Sequence, residues 1–212
     1  MLTLPNPLKL IQRAKALASL DLIISPEWDY RYYSFNAHWS ADEQMASMRN
    51  GSGDEWWIVF HKTGWAALKG LDHESTAWSK SGKKLSMALC AAIPNQLSTF
   101  ANEPAFRWSD TSFAYFYLSE SIGWKRANDL INIENFNTGE ETLLNLLIGG
   151  PNDYVSFAEE YYEKTISTDI VSSVYNLRKI TDDIVSSLNP EIKLENISSE
   201  LFDEIDYPRL IS

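Results

Sequence analysis

Residues 54–71 read DEWWIVFHKTGWAALKGL, and the reading of the whole chain works outward from them. "DEWWIVF" is dense in aromatic and β-branched residues, "WAALKGL" follows as a second strand-like run, and "HKTG" lies between them. Gly64 suits the left-handed position of a short hairpin loop. With residues 62–64 as that loop, His61 faces Trp65, and each step outward pairs one residue from each arm. Val59 then meets Ala67, Trp57 meets Lys69, and Asp54 meets Asp72. Side chains alternate along a strand, so Trp56, Ile58, Phe60 and Leu68 form one apolar face. The other face mixes Trp57, Val59 and Trp65 with Glu55, His61 and Lys69.

The candidate site grows from the open end of this hairpin. Asp54 and Asp72 fall at the end of the apolar face, with Glu74 just beyond if the extended backbone persists. His73 points the other way and is not expected to join its neighbours in one ligand cluster. Facing carboxylates repel, so the pair calls for a cation, hydrogen-bond donors or a raised pKa. The preceding "MRNGSG" offers Arg49 and the backbone N–H groups of residues 51–53. An ion-paired acidic patch that anchors this loop, a partner contact and a cation site all fit. On the second face Trp57 and Trp65, rimmed by charge, fit either packing beneath a helix or a recognition surface of the kind that carries interface energy. The candidate binding residues are therefore Asp54, Asp72, Glu74, Arg49, Trp57 and Trp65.

The flanking sequence supplies helices and further strands. Residues 7–20 carry Leu8, Ile11, Leu17 and Leu20 near helical spacing behind Asn6 and Pro7, which suit the cap and first position. "DYRYYSFNAHW" leans towards strand, and "SADEQMASMRN" has Ser40 and Glu43 at capping-box spacing, which predicts a short helix ending near residues 50–51. "ESTAWSKSGKK" reads as a polar loop and "LSMALCAAIPNQLSTF" as a helix broken near Pro94. "FAYFY" reads as a strand covered on both faces, with "GWKRAND" as a turn after it. From residue 139 the period turns helical: "GEETLLNLLIGG" is one helix, "YVSFAEEYYEKT" is capped by Asn152 or Asp153, and one long helix runs to Pro190. The tail from residue 191 alternates weakly and is expected to dock as a short helix.

Charge divides the chain. Residues 1–138 hold 14 acids and 13 bases, and residues 139–212 hold 15 acids and 5 bases, so nearly all of the net charge of −11 lies in the last third. All eight Trp lie before it. Such an acidic surface repels phosphate and disfavours nucleic acid, and the bases at Lys9, Arg13 and Lys15 or Lys80, Lys83 and Lys84 are too sparse for a binding stripe. An acidic surface instead attracts a basic protein.

Other chemistry finds little support. Cys90, the single cysteine, excludes an internal disulfide and favours a reducing compartment. His38, His61 and His73 lack metal-ligand spacing, "NGSG" lacks the lysine of a P-loop, and no GxSxG occurs. No cofactor is called for. The first residues do not read as a signal peptide and no run approaches a membrane span, so a cytoplasmic protein without a membrane partner is expected.

"MASMRNGSGDEWWIVF" and "GWAALKGLDHES", followed at a distance by "NDYVSFAEEYYE", resemble a group of small uncharacterised bacterial proteins, some associated with toxin-neutralising immunity proteins. The resemblance spans residues 27–165 in outline and is sharp over residues 45–75. It implies a bacterial cytoplasmic protein that works by binding, and it carries no catalytic residue. The expected architecture is one α+β domain, residues 1–212, in which an aromatic antiparallel sheet is packed by an N-terminal helix and an acidic C-terminal helical layer. The preferred function is a non-enzymatic protein-binding module that neutralises a basic toxin. The alternatives are a cation-dependent hydrolase using paired carboxylates and a small-ligand domain with an aromatic pocket.

Overall fold

A computed structural model describes residues 2–131 and 136–209. Its centre is a six-stranded antiparallel sheet in which every strand pairs with its sequence neighbours: β1 (Tyr33–Asn36), β2 (Glu43–Arg49), β3 (Glu55–His61), β4 (Ala66–Leu71), β5 (Phe113–Tyr117) and β6 (Trp124–Arg126). The β3–β4 hairpin has the register read from the sequence, with Val59 opposite Ala67 and Trp57 opposite Lys69. Gly64 sits in its loop at φ 95°.

Helices cover both faces. On one face α1 (Pro7–Ile24) lies against Trp56, Ile58, Phe60, Leu68, Phe113 and Tyr115. Asn6 caps it by accepting the Lys9 N–H at 2.9 Å, with Pro7 behind. It runs four residues past the expected end, because its last two turns are wholly buried and Asn189 donates to the carbonyls of Ile23 and Ile24. The same face carries α4 (Glu140–Leu143), α5 (Asn145–Ile148), α6 (Pro151–Tyr161), α7 (Thr168–Tyr175), α8 (Asp182–Leu188) and α9 (Leu194–Ser199), followed by one π turn (Glu200–Glu204). The opposite face, with Val59, Ala67, Ala114 and Phe116, is covered by α2 (Thr76–Ala92) and α3 (Ser98–Ala101). The α+β reading holds, with an additional helical layer on the second face.

Several local expectations are corrected. Residues 43–49 form β2 and not a helix: Ser40 donates its N–H to the Glu43 carbonyl and its hydroxyl to the Glu43 carboxylate, across a turn that leads into the strand. Residues 76–84 are not a loop but the first half of α2, capped by Ser75 and kinked at Gly82, whose φ is 42°. "GWKR" supplies β6, the edge strand beside β5, and not a turn. The long helix to Pro190 is two helices, since Leu177 adopts φ 51° and Thr181 caps α8. Asp153 does not cap α6 itself but accepts the N–H of the cap, Gly150, at 2.7 Å. The tail docks through α9, and its last three residues lie outside those described.

Candidate functional site

The open end of the hairpin brings Asp54 and Asp72 to adjacent positions one step beyond the last paired residues, Glu55 and Leu71. They do not share one environment. Asp54 Oδ2 accepts the Asn50 side-chain N–H at 2.7 Å, and Asp54 Oδ1 accepts the His73 backbone N–H at 2.9 Å and lies 2.7 Å from His73 Nδ1. Burial opposes its charge, but these donors prevail and hold its carboxyl below the usual range. Asp72 instead turns inward at the start of the next helix, where its Oδ1 accepts the Glu74 N–H at 2.9 Å and its carbonyl accepts the Ser75 hydroxyl. Burial, with the Asp54 charge beside it, pushes the Asp72 carboxyl up. A Cβ at Gly139 would collide with the Asp72 carboxylate, so a glycine in the left-handed region (φ 85°) is required there.

Two site expectations change. His73 does partner Asp54, because the strand ends at Leu71 and side-chain alternation stops with it. The Asp54 carboxylate raises the pKa of the largely exposed imidazole. Arg49 forms no ion pair with these acids among the described residues; its guanidinium lies 5.0 Å over the Trp28 ring. Asn50 takes the anchoring role assigned to it, using Oδ1 to accept the N–H groups of Ser52 and Asp54. Glu74 stands exposed at the rim, 3.9 Å from His73 Nε2.

Trp57 and Trp65 do not join this corner. Trp57 is half-buried against Phe106 under the α2 layer, at 5.3 Å between ring centres. Trp65 stacks on His61 at the far end of the hairpin. The charges beside Trp57 are not a rim either. Lys69 is fully buried, bonding Glu55 at 3.2 Å and the Asp110 carbonyl at 2.9 Å, while Arg107 closes on the other Glu55 oxygen at 2.6 Å.

The exposed aromatics lie elsewhere. Trp28 (47% exposed) and Tyr30 (63%) stand on a short 3-10 turn before β1, and Tyr161 (43%) ends α6. Tyr32 links them: its carbonyl accepts the Arg49 N–H, its ring meets that of Tyr161 at 4.4 Å, and Asp54 and Glu160 act on its hydroxyl electrostatically. Glu27 and Asp29, next to Trp28 and Tyr30 in sequence, and Glu159, Glu160 and Glu163, next to Tyr161, are exposed as well. Sequence reasoning placed residues 29–39, Tyr30 among them, in a strand and gave Trp28 no element, and so missed both. The spacing of Tyr154, Phe157 and Tyr161, three and four residues apart, was a readable sign of an aromatic ridge on α6.

Among the described residues no three of His, Cys, Asp and Glu converge to hold a metal ion, and no helix is long and apolar enough to cross a membrane. Comparison with protein-family models, with curated proteins and with solved structures finds no match to this chain.

Proposed function

We propose that this chain is a non-enzymatic protein-binding module whose partner is basic, with neutralisation of a toxin as the most concrete form of that role. One observation carries the reading: Trp28, Tyr30 and Tyr161 are all exposed and each has exposed carboxylates as sequence neighbours, while Tyr32 ties the Tyr161 ring to the end of β2, where Arg49 lies over Trp28. Trp and Tyr are the side chains that dominate interface energies, and acids around them suit lysines and arginines that pair with carboxylates and lie over aromatic faces. Charge at the rim raises the association rate and makes it dependent on salt. Such a module acts by covering its partner's working surface and needs no reactive group.

The test is co-expression with the product of the adjacent gene, followed by calorimetry on the purified pair. Trp28→Ala or Tyr161→Ala is expected to cost more than about 1 kcal/mol of binding energy. Glu159→Lys with Glu160→Lys should slow association and flatten its salt dependence. The reading fails if no pair forms, or if all these variants bind like wild type. A hydrolase is the rival reading, favoured by one detail: Asp54 holds His73 by Nδ1, as a carboxylate orients a general base. Titration with Mg²⁺, Ca²⁺ and Mn²⁺ separates the two, since heat that is lost in Asp72→Asn would favour the cation-dependent enzyme.

A further inference from the structure

At the end of the hairpin remote from Asp54, a cleft of about 750 Å³ opens between the first turn of α1 and the rim of the sheet. Leu8, Ile11, Phe60 and Tyr117 line it on the α1 side of the sheet, and the hairpin tip brings in His61 and Trp65 from the other side. The volume is that of a small-molecule site, and such sites combine apolar walls with a few oriented polar groups.

Four details define what would fit. The His61 and Trp65 rings are parallel within 11° and 4.8 Å apart, so the wall presents a flat π surface. The Thr63 backbone N–H donates to His61 Nδ1 at 3.1 Å, which makes that nitrogen the acceptor and leaves the proton of the neutral ring on Nε2 as a donor. Tyr117 is only 9% exposed, yet its hydroxyl bonds no described residue and it lines the cleft. Leu8, 78% exposed, stands at the mouth with no packing role that explains an apolar side chain there. The charges do not favour an anion, because Asp42, Glu43 and Glu120 line the cleft and its one lysine, Lys62, is already paired with Asp42.

We infer that this cleft binds an uncharged, flat heteroaromatic molecule that carries a ring nitrogen or carbonyl oxygen as acceptor. The ring lies between the His61–Trp65 pair and the Leu8 and Ile11 side chains, and its acceptor takes the Tyr117 hydroxyl. The inference is independent of the partner surface, which lies at the other end of the hairpin.

The experiment is an NMR titration of the ¹⁵N-labelled chain with adenosine and with AMP, which share a ring system and differ in charge. Adenosine at millimolar concentration is expected to move the Trp65 indole N–H, assigned through Trp65→Phe, together with the His61 resonances. AMP should bind several-fold more weakly. Leu8→Ala and Tyr117→Phe, which remove an exposed side chain and an unpartnered hydroxyl and so spare the fold, should each weaken adenosine several-fold. The inference is overturned if adenosine moves no resonance of the cleft, if AMP binds equally well, or if both variants bind adenosine like wild type.

Discussion

Asp54 holds two segments at once, the preceding loop through Asn50 and the start of α2 through His73. Its carboxyl is held below the ordinary 3.8, so its contribution to stability is present above that pH and fades as pH falls through the lower folded value. His73 is raised above 6.5, so its contribution is full below 6.5 and is lost as pH rises through the higher folded value. The pair therefore stabilises most between these limits. Asp54→Asn should cost about 1 kcal/mol in urea unfolding near pH 6, and NMR titration should find the His73 midpoint lowered towards its ordinary value. An unmoved midpoint would remove the pair from the account. At this scale the adjacency of Asp54 and Asp72 was legible, because register follows from loop length. The His73 contact was not, because it depends on where the strand stops.

Among the elements, the hairpin was legible and β2 was not. Hairpin register follows from Gly64 and the length of its loop, and the two arms are marked as strands by their aromatic and β-branched residues. β2 lacks that alternation, since Met45, Ala46, Ser47 and Met48 are all buried between two helical layers, and its residues have weak strand preference. Long-range cover overrides local preference there, and it also draws "TAWSKSGKK" into α2 despite its polarity. The surface proposed to bind a partner depends on the same effect, because the Tyr32 ring packs on Phe157 and Tyr161 of α6. A prediction belongs to β4, where Gly70 faces Phe113 of β5 and a Cβ would run into its ring. Gly70→Ala should cost about 1–3 kcal/mol through overpacking, and adding Phe113→Leu should recover part of it. Equal urea midpoints for wild type and Gly70→Ala would contradict this reading of the interface.

Across the whole molecule, one buried carboxyl joins the layers. Asp21 of α1 accepts the N–H groups of Tyr32 and Tyr33 at the head of β1 and the hydroxyls of Tyr154 and Tyr162 from the α6 region. Complete burial outweighs these four donors and raises its pKa to about 6. The sign is opposite to that of Asp54: the folded state holds this proton more tightly, so stability falls as pH rises from 3.8 through about 6. The fall is on the order of 3 kcal/mol. Urea unfolding across that range should yield a wild-type slope that Asp21→Asn removes, and identical slopes would refute the assignment.

The route by which the chain closes α1 into the fold bears on how it is made. Sheet pairings join consecutive strands throughout, and all but the β4–β5 connection, which holds α2 and α3, are short loops that are cheap to close. Lys15, however, bonds Asp206, the end of α1 is covered by Asn189, and Ala37 bonds the Glu204 carbonyl. Residues 189–206 follow the sheet in the chain, so the sheet is expected to form in outline before they reach α1. Its uncovered apolar side is the surface a chaperone would meet on the nascent chain.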